Sequence, residues 1–388
     1  MDVDIRAIRP NELQAFRLAL GAAFGEDEAR EAWDPSWENV FEHDRLFVAM
    51  DEDIVAGTAG NFSFTMTVPG GELPTAGLTV VGVLPTHRRK GIARKLMRFQ
   101  LEDARKHKEP LSILWASEDR IYQRFGYGLS ASQMRINVQR DHTTFRLNEE
   151  PAGRARLLDP EEALKVLPDV YERVRVETPG MLARSPEWWR YHRLFDPKEN
   201  RAGASKLMVV AWEDEGRAEA YALYRFKERW SHDTGISNSE VWVLEAVATS
   251  ARAHQQIWNY LFGIDLVQTV IGYFMPVDHP LKLMALEPRH LKMAVNDAIW
   301  LRAVDVQEAL ANRAYGVEET LTFALSDPFW ERNDGTWKLT ARAGGHSVDR
   351  YDGEPELAFD SCDLGAMYLG GTSVTDLQRA GRVRELAP

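Results

Sequence analysis

The stretch Val81-Gly82-Val83-Leu84-Pro85-Thr86-His87-Arg88-Arg89-Lys90-Gly91-Ile92-Ala93-Arg94 constrains this chain more than any other. An apolar strand over residues 78–83 runs into Pro85, basic residues crowd the turn, and a helix then opens on small residues. Residues 91–106 space Ile92, Leu96 and Phe99 at helical intervals, with Met97 and Leu101 on a flanking row. A buried strand feeding an amphipathic helix is the building unit of a mixed α/β fold. The turn also carries chemistry. The first N–H groups of a helix lack partners within it, and the helix dipole favours negative charge there. Gly91 and Ala93 let a pyrophosphate approach the backbone, and Arg88, Arg89, Lys90 and Arg94 add charge-assisted contacts. The spacing Arg88-x-x-Gly91-x-Ala93 is not G-x-G-x-x-G, and G-x-x-x-x-G-K-[ST] does not occur. Nicotinamide and P-loop readings fall away. A basic helix start with a solvated face is the plain alternative.

The remaining pattern extends the α/β reading. Residues 11–24 read as a helix with Asn11 as N-cap, and residues 46–50 and 54–60 as a hairpin across Asp51-Glu52-Asp53. Strands are expected at 62–68 and 111–116, followed by a short helix at 118–125 and the turn Gly126-Tyr127-Gly128. Further on, helices are expected at 160–177, around Glu187-Trp188-Trp189-Arg190, and at 251–268, with strands at 207–212, 218–226 and 240–247. The last part reads as strands at 299–304, 319–325, 335–341 and 356–359 with helices at 306–313, 363–369 and 375–386. At roughly 150 residues per domain, 388 residues give two to three units. The pattern divides them as 1–150, 151–290 and 291–388. Thr79-Val80-Val81-Gly82-Val83 before the helix at Gly91 is similar to Trp242-Val243-Leu244-Glu245-Ala246-Val247 before the helix at Ala251. The second copy has Ala251-Arg252-Ala253-His254-Gln255 in place of the Arg- and Gly-bearing loop. Duplication and coincidence both fit.

Composition removes whole classes of function. Lys and Arg total 47 against 59 Asp and Glu, a net charge of −12, which argues against a nucleic-acid binder. Cys362 is the only cysteine, excluding a disulfide framework, a cysteine-based zinc site and an iron–sulfur cluster. The histidines show no H-E-x-x-H, so no metal is expected. The start, Met1-Asp2-Val3-Asp4-Ile5-Arg6, lacks the regions of a signal peptide, and no segment approaches the roughly 20 apolar residues of a membrane helix. A cytoplasmic protein without membrane or nucleic-acid partners is the expectation.

The loop after the apolar strand resembles the acetyl-CoA pyrophosphate loop of the GNAT N-acetyltransferases, and Ile121-Tyr122-Gln123-Arg124-Phe125-Gly126-Tyr127 resembles that superfamily's tyrosine helix. More closely, Pro74-Thr75-Ala76-Gly77-Leu78, Pro85-Thr86-His87-Arg88-Arg89-Lys90-Gly91 and Trp115-Ala116-Ser117-Glu118 resemble the Eis (enhanced intracellular survival) acetyltransferases. So does Arg124-Phe125-Gly126-Tyr127-Gly128, while Met367-Tyr368-Leu369-Gly370-Gly371 is similar to their C-terminal domain. The resemblance implies tandem GNAT-like domains, the second degenerate, and a sterol-carrier-like α/β domain at the C-terminus. It further implies acetyl transfer from acetyl-CoA to amines of aminoglycosides, other polyamines or lysines, and assembly as a hexamer.

Carried over residue by residue, the resemblance places Val81 and Val83 beside the pantetheine and thioester. Arg88, Arg89, Lys90, Gly91, Ile92, Ala93 and Arg94 fall on the pyrophosphate loop, Ser117 and Glu118 along the cofactor, and Tyr122 on the general acid. The chemistry supports Tyr122 independently, because a phenol of pKa about 10 suits protonation of a departing thiolate. A core tyrosine with a satisfied hydroxyl is the alternative, and it is the preferred reading for Tyr127. The family's base is a chain-terminal carboxylate. Here the chain ends at Pro388 directly after the expected helix, so no base is assigned, and Glu26, Glu118 or a water chain stay open. Phe24, Glu26, Trp33 and Trp37 fall where the family's substrate wall begins, and aromatics with carboxylates suit a cationic amine. The three functions in play are an amine N-acetyltransferase, a protein lysine or N-terminal acetyltransferase, and a non-catalytic apolar-ligand binder. The intact loop and Tyr122 speak against the last.

Overall fold

The structure, a computed structural model, describes residues 3–26, 39–147 and 153–387. In chain order the first elements are β1 (Asp4–Ala7), α1 (Leu13–Phe24), β2 (Leu46–Asp51), β3 (Ile54–Val68), β4 (Gly71–Val83), α2 (Ile92–Lys106), β5 (Leu111–Leu114), α3 (Asp119–Gln123) and β6 (Gly128–Gln139). The middle supplies β7 (Arg154–Leu158), α4 (Pro160–Arg175), β8 (Met208–Asp214), β9 (Arg217–Lys227), β10 (Ser239–Ala248), α5 (Ala251–Phe262) and β11 (Val267–Pro276). The last part adds β12 (Ala294–Ala303), α6 (Val306–Ala311), β13 (Thr320–Ser326), β14 (Gly335–Arg342), β15 (Gly345–Arg350), β16 (Leu357–Asp360), α7 (Ser361–Met367), α8 (Val374–Arg379) and β17 (Arg384–Glu385).

These elements form two compact units: Met1–Ala131 with Thr178–Ala183 and Ala298–Pro388, and Ser132–Glu177 with Arg184–Asp297. In the first unit the strand order is β1-β2-β3-β4-β5-β12, with β4 and β5 parallel and the other neighbours antiparallel. Helix α2 buries Ile92, Leu96, Met97, Leu101 and Ala104 against Phe47, Ala56, Ala76 and Leu114 of this sheet. Ile92, Leu96, Met97 and Leu101 are on the rows its spacing predicts, while Phe99, expected with them, is only partly buried. The same unit contains a five-stranded sheet, β15-β14-β13-β16-β17, whose Phe323, Trp337 and Phe359 share a core with Met66, Leu111 and Leu301. In the second unit the order is β7-β8-β9-β10-β11-β6, with β10 and β11 parallel. Trp258, Ile257 and Leu261 of α5 are buried there against Met134, Ile136, Val138, Val241 and Val243.

Several expected elements differ. The strand expected to open the last unit runs in the first unit's large sheet, with Trp300 opposite Leu114 and Arg302 opposite Ser112. The helix expected over 251–268 stops at Phe262, where Gly263 caps it, and β11 begins at Val267. The helix expected over 375–386 stops at Arg379 because Gly381 takes a left-handed φ of 72°. The chain then pairs Arg384 with Ala358 and Glu385 with Leu357. Strands β6 and β11 complete the second unit's sheet and were not among the expected elements. Among the described residues no helix is long and apolar enough to cross a membrane.

Candidate active site

The site is built around a strand pair that opens. β4 and β5 pair only at Thr75, Ala76 and Gly77 opposite Leu111, Ser112 and Ile113, although β4 continues to Val83. On its other edge β4 slips register against β3 between Thr58 and Gly60. Val80 adopts φ 47° at that slip, and its carbonyl accepts a hydrogen bond from Thr58 Oγ1 at 2.8 Å. A valine at positive φ is a genuine outlier. It marks a β-bulge, which bends the strand and increases its twist. The bulge lies between Val81 and the end of the parallel ladder, so the half of β4 that carries Val81 and Val83 turns away from β5. The ladder between β4 and β5 has ended before Val81 and Val83 are reached.

The loop after β4 is held from beneath. His87 is buried, with Nε2 3.0 Å from Asp51 Oδ2 and Nδ1 2.8 Å from Thr86 Oγ1. Above it Arg89 and Gly91 both take left-handed conformations, φ 62° and 83°. Backbone curled in this way gathers N–H groups around a concavity suited to an anion. Gly91 is the N-cap of α2 and provides no side chain to occupy the helix's first N–H groups. A Cβ added there would meet nothing within 4 Å, so the space before the helix is open. Donors of this kind, beside a backbone that a Cβ would not crowd, fit the pyrophosphate of a coenzyme A thioester.

The basic side chains divide by role. Arg89 and Lys90 are exposed around the loop. Arg88 instead donates to the Ala23 carbonyl at 2.9 Å and the Val83 carbonyl at 3.4 Å, tying the end of α1 to the end of β4. Arg94 lies over the Phe329 ring, 5.0 Å from its centroid. Ile92 is buried in the core, and Ala93 is half-buried in the first turn. Phe24, 53% exposed, and Glu26 stand at the end of α1 that Arg88 holds. Trp33 and Trp37 lie outside the described residues.

Tyr122, on α3, lies in a core shared with Leu78 and Leu114 and is 6% exposed. Burial pushes its phenol above the usual value; a hydrogen bond from Ser117 pulls the other way, and the charge of Glu118 adds to the rise. Tyr122 therefore stays protonated through the neutral range. Ser117 and Glu118 are both exposed just before α3. Tyr127 is fully buried, its hydroxyl 2.6 Å from Ser112 Oγ and 3.0 Å from Gln100 Nε2, with a pKa pushed up to about 12 by burial.

The sequence reading missed what grips the tyrosine turn from behind. Arg302 on β12 donates to the Phe125 carbonyl and to Asp327, and both charged side chains are 0% exposed. The Phe125 and Phe329 rings lie 4.9 Å apart, and the Cys362 thiol donates to the Gln123 carbonyl at 3.0 Å. At Gly128 a Cβ would lie 1.7 Å from the Cys362 carbonyl oxygen, so only glycine lets α7 cross there. One signal was available: a charged residue, Arg302, inside the apolar run Ile299-Trp300-Leu301-Arg302-Ala303.

Residues 4–130 match an acetyltransferase (GNAT) domain family, residues 180–303 a second acetyltransferase (GNAT) domain family, and residues 306–387 a sterol carrier protein domain. An uncharacterized N-acetyltransferase of Streptomyces avermitilis is 38% identical over 100% of this chain and 95% of its own. The N-acetyltransferase Eis of Mycobacterium tuberculosis is 31% identical over 85% of this chain and 79% of its own. The crystal structure of Eis1 from Mycobacterium abscessus matches with a TM-score of 0.84 at 31% identity, covering 99% of this chain and 94% of that one. The chain belongs to the Eis family of GNAT N-acetyltransferases.

In this Eis-type chain the second GNAT domain keeps the strand plan and loses the anion loop. Its parallel pair, β10 and β11, also stops early, at Val243 opposite Gly272, and β10 slips against β9 between Val243 and Glu245. Its helix α5 begins with Ser250, whose hydroxyl accepts from the Ala253 N–H at 3.1 Å. The first turn thus supplies its own cap where α2 leaves the space open. At the slip, Glu245, its side chain 14% exposed, accepts from Arg184, Arg193 and Tyr221. Burial would push this carboxyl up, but the two guanidinium groups hold it down at about 2. Arg184 is stacked 3.8 Å from the Tyr171 ring centroid and 4.8 Å from that of Trp189.

Proposed function

We propose that the first unit transfers an acetyl group from acetyl-CoA directly to an amine of a cationic, amphipathic acceptor such as an aminoglycoside, with Tyr122 as general acid. The observation that carries this reading is the protonated, buried Tyr122 beside a bulged strand pair whose following helix opens on an uncapped Gly91. Acetyl-CoA, when bound, supplies the thioester carbonyl that the amine attacks and the sulfur that departs. The loop N–H groups of residues 91–94, with Arg89 and Lys90, hold its phosphates in this reading, and β4 backbone near Val81 and Val83 orients its acyl arm. Tyr122 holds a proton at its hydroxyl and gives it to the departing sulfur, and the proton shed by the acylated nitrogen returns through water to the phenolate.

Cys362 supports direct transfer. Burial pushes its thiol up to about 12, and it is spent on the Gln123 carbonyl, so it stays a thiol without nucleophilic character. A net charge of −12, with exposed Phe24 and Glu26 at the end of α1, favours a cationic acceptor.

Two measurements test the reading. Acetyl-CoA at a hundred times its dissociation constant should stabilise the protein by about 2.7 kcal/mol, read as a rise of a few degrees in the melting temperature. No shift would remove the cofactor assignment. CoA-thiol release should then be strongest with aminoglycosides or polyamines; a preference for lysine peptides would move the acceptor to protein. Gly91→Ala places a Cβ in open space at φ 83°, so it costs about 1–2 kcal/mol of backbone strain without any clash in the free protein. Its effect should therefore exceed that strain wherever a pyrophosphate must fit, and weaker acetyl-CoA binding in a titration would show it.

A further inference from the structure

We propose that the second GNAT unit carries a site for a zinc-class divalent cation, formed by His142, Glu287 and His290. The expectation of no metal rested on local spacing. Here the fold brings His142, at the end of the turn Arg140–His142, to Glu287 and His290, which flank the start of and lie within the turn Pro288–Leu291. His142 Nδ1 is 2.9 Å from Glu287 Oε2, His290 Nε2 is 3.8 Å from Glu287 Oε1, and one donor atom from each of the three residues lies within 4.8 Å of the others. The two imidazole rings stack with centroids 3.5 Å apart and an angle of 17° between planes.

The geometry is close to what a tetrahedral ion requires. Zinc bonds of about 2.0–2.2 Å to nitrogen and oxygen place neighbouring ligand atoms about 3.3 Å apart. The donor atoms already lie within 4.8 Å of one another, and the two stacked rings must tilt apart for their in-plane lone pairs to meet at one ion. The backbone behind it is already fixed. Phe145 bridges Ala285, the Arg146 N–H donates to the Met284 carbonyl at 2.8 Å, and the Leu286 N–H donates to the Thr144 carbonyl at 2.9 Å. Leu291, buried in the core, anchors the second turn. The two ligand-bearing segments are thus held at a set separation before any ion arrives.

The donor set selects the class of metal. Magnesium and calcium take all-oxygen shells, whereas two imidazoles and one carboxylate suit zinc and its neighbours cobalt, nickel and copper. Three protein ligands leave the fourth position to water. All three side chains are partly exposed, so the ion has a route in. The ion would clip the turn that follows β6 to the segment that precedes β12.

The test uses the full chain after dialysis against EDTA. Zinc titrated calorimetrically should bind one equivalent, and cobalt should give visible absorption bands of a four-coordinate site. Glu287→Gln and His290→Ala should each abolish the cobalt bands and the stoichiometric zinc step. His142→Gln, from the opposite segment, should do the same. Metal-free melting of each variant, compared with the parent, establishes that the fold is retained. Absence of saturable zinc binding in the parent would overturn the proposal, as would binding unchanged by all three substitutions. Neither readout depends on acetyl transfer, so the outcome is independent of the function proposed for the first unit.

Discussion

Tyr122→Phe is expected to lower kcat by about 10² to 10⁴-fold, the range a well-placed general acid contributes. Acetyl-CoA affinity should stay nearly unchanged, since phenylalanine keeps the ring that packs with Leu78 and Leu114. The cost to stability is the hydrogen bond with Ser117, about 1 kcal/mol. The pH profile adds a second check. Tyr122 works while protonated, and burial raises its pKa, so the alkaline fall of kcat in the parent should come above the range of an ordinary phenol. In the Phe variant that fall should vanish along with most of the rate. Turnover equal to the parent's would leave Tyr122 a packing residue. Stopped-flow detection of CoA thiol with the best acceptor of the panel gives the rates.

Arg302→Met should unfold the first unit more easily by about 3–5 kcal/mol, the usual cost of stranding one member of a buried ion pair. Asp327 would remain fully buried, retaining the Trp330 N–H at 3.0 Å but losing its guanidinium partner. The Phe125 carbonyl would also lose its donor at the turn following Tyr122. Combining Arg302→Met with Asp327→Leu removes both charges and should recover much of the loss, because an apolar pair of similar volume avoids the desolvation cost. Urea denaturation followed by tryptophan fluorescence measures both variants. An unchanged midpoint for Arg302→Met would show that the pair carries no net stability.

The parts legible in the sequence are those whose causes are local. Strand, basic turn and amphipathic helix lie within residues 78–106, so spacing alone places the loop and the core row of α2. The tyrosine turn is equally local, closed by Gly126, Tyr127 and Gly128. What stayed hidden depends on distant partners. β6 alternates Met134, Ile136 and Val138 inward with Arg135 and Asn137 between them, a period-two signal diluted by its polar face. The apolar row of α5 continues to Ile264, which masked the stop at Gly263. Arg88 and Arg94 share the composition of an anion loop, yet their side chains are engaged by the Ala23 carbonyl and the Phe329 ring. Spacing does not show which basic side chains are already engaged within the protein.

The placement of β12 bears on synthesis. Trp300 pairs with Leu114, 186 positions earlier in the chain (300 minus 114). At about 5–20 residues per second, a ribosome takes roughly 10 to 40 s to deliver the partner that β5 awaits. During that interval the nascent first unit has a bare strand edge, and the turn after Tyr122 lacks Arg302. Cutting the polypeptide near residue 150 would make that waiting state permanent. Tyr122 is encoded early, and the turn after it is gripped only once the chain has been made as far as Arg302.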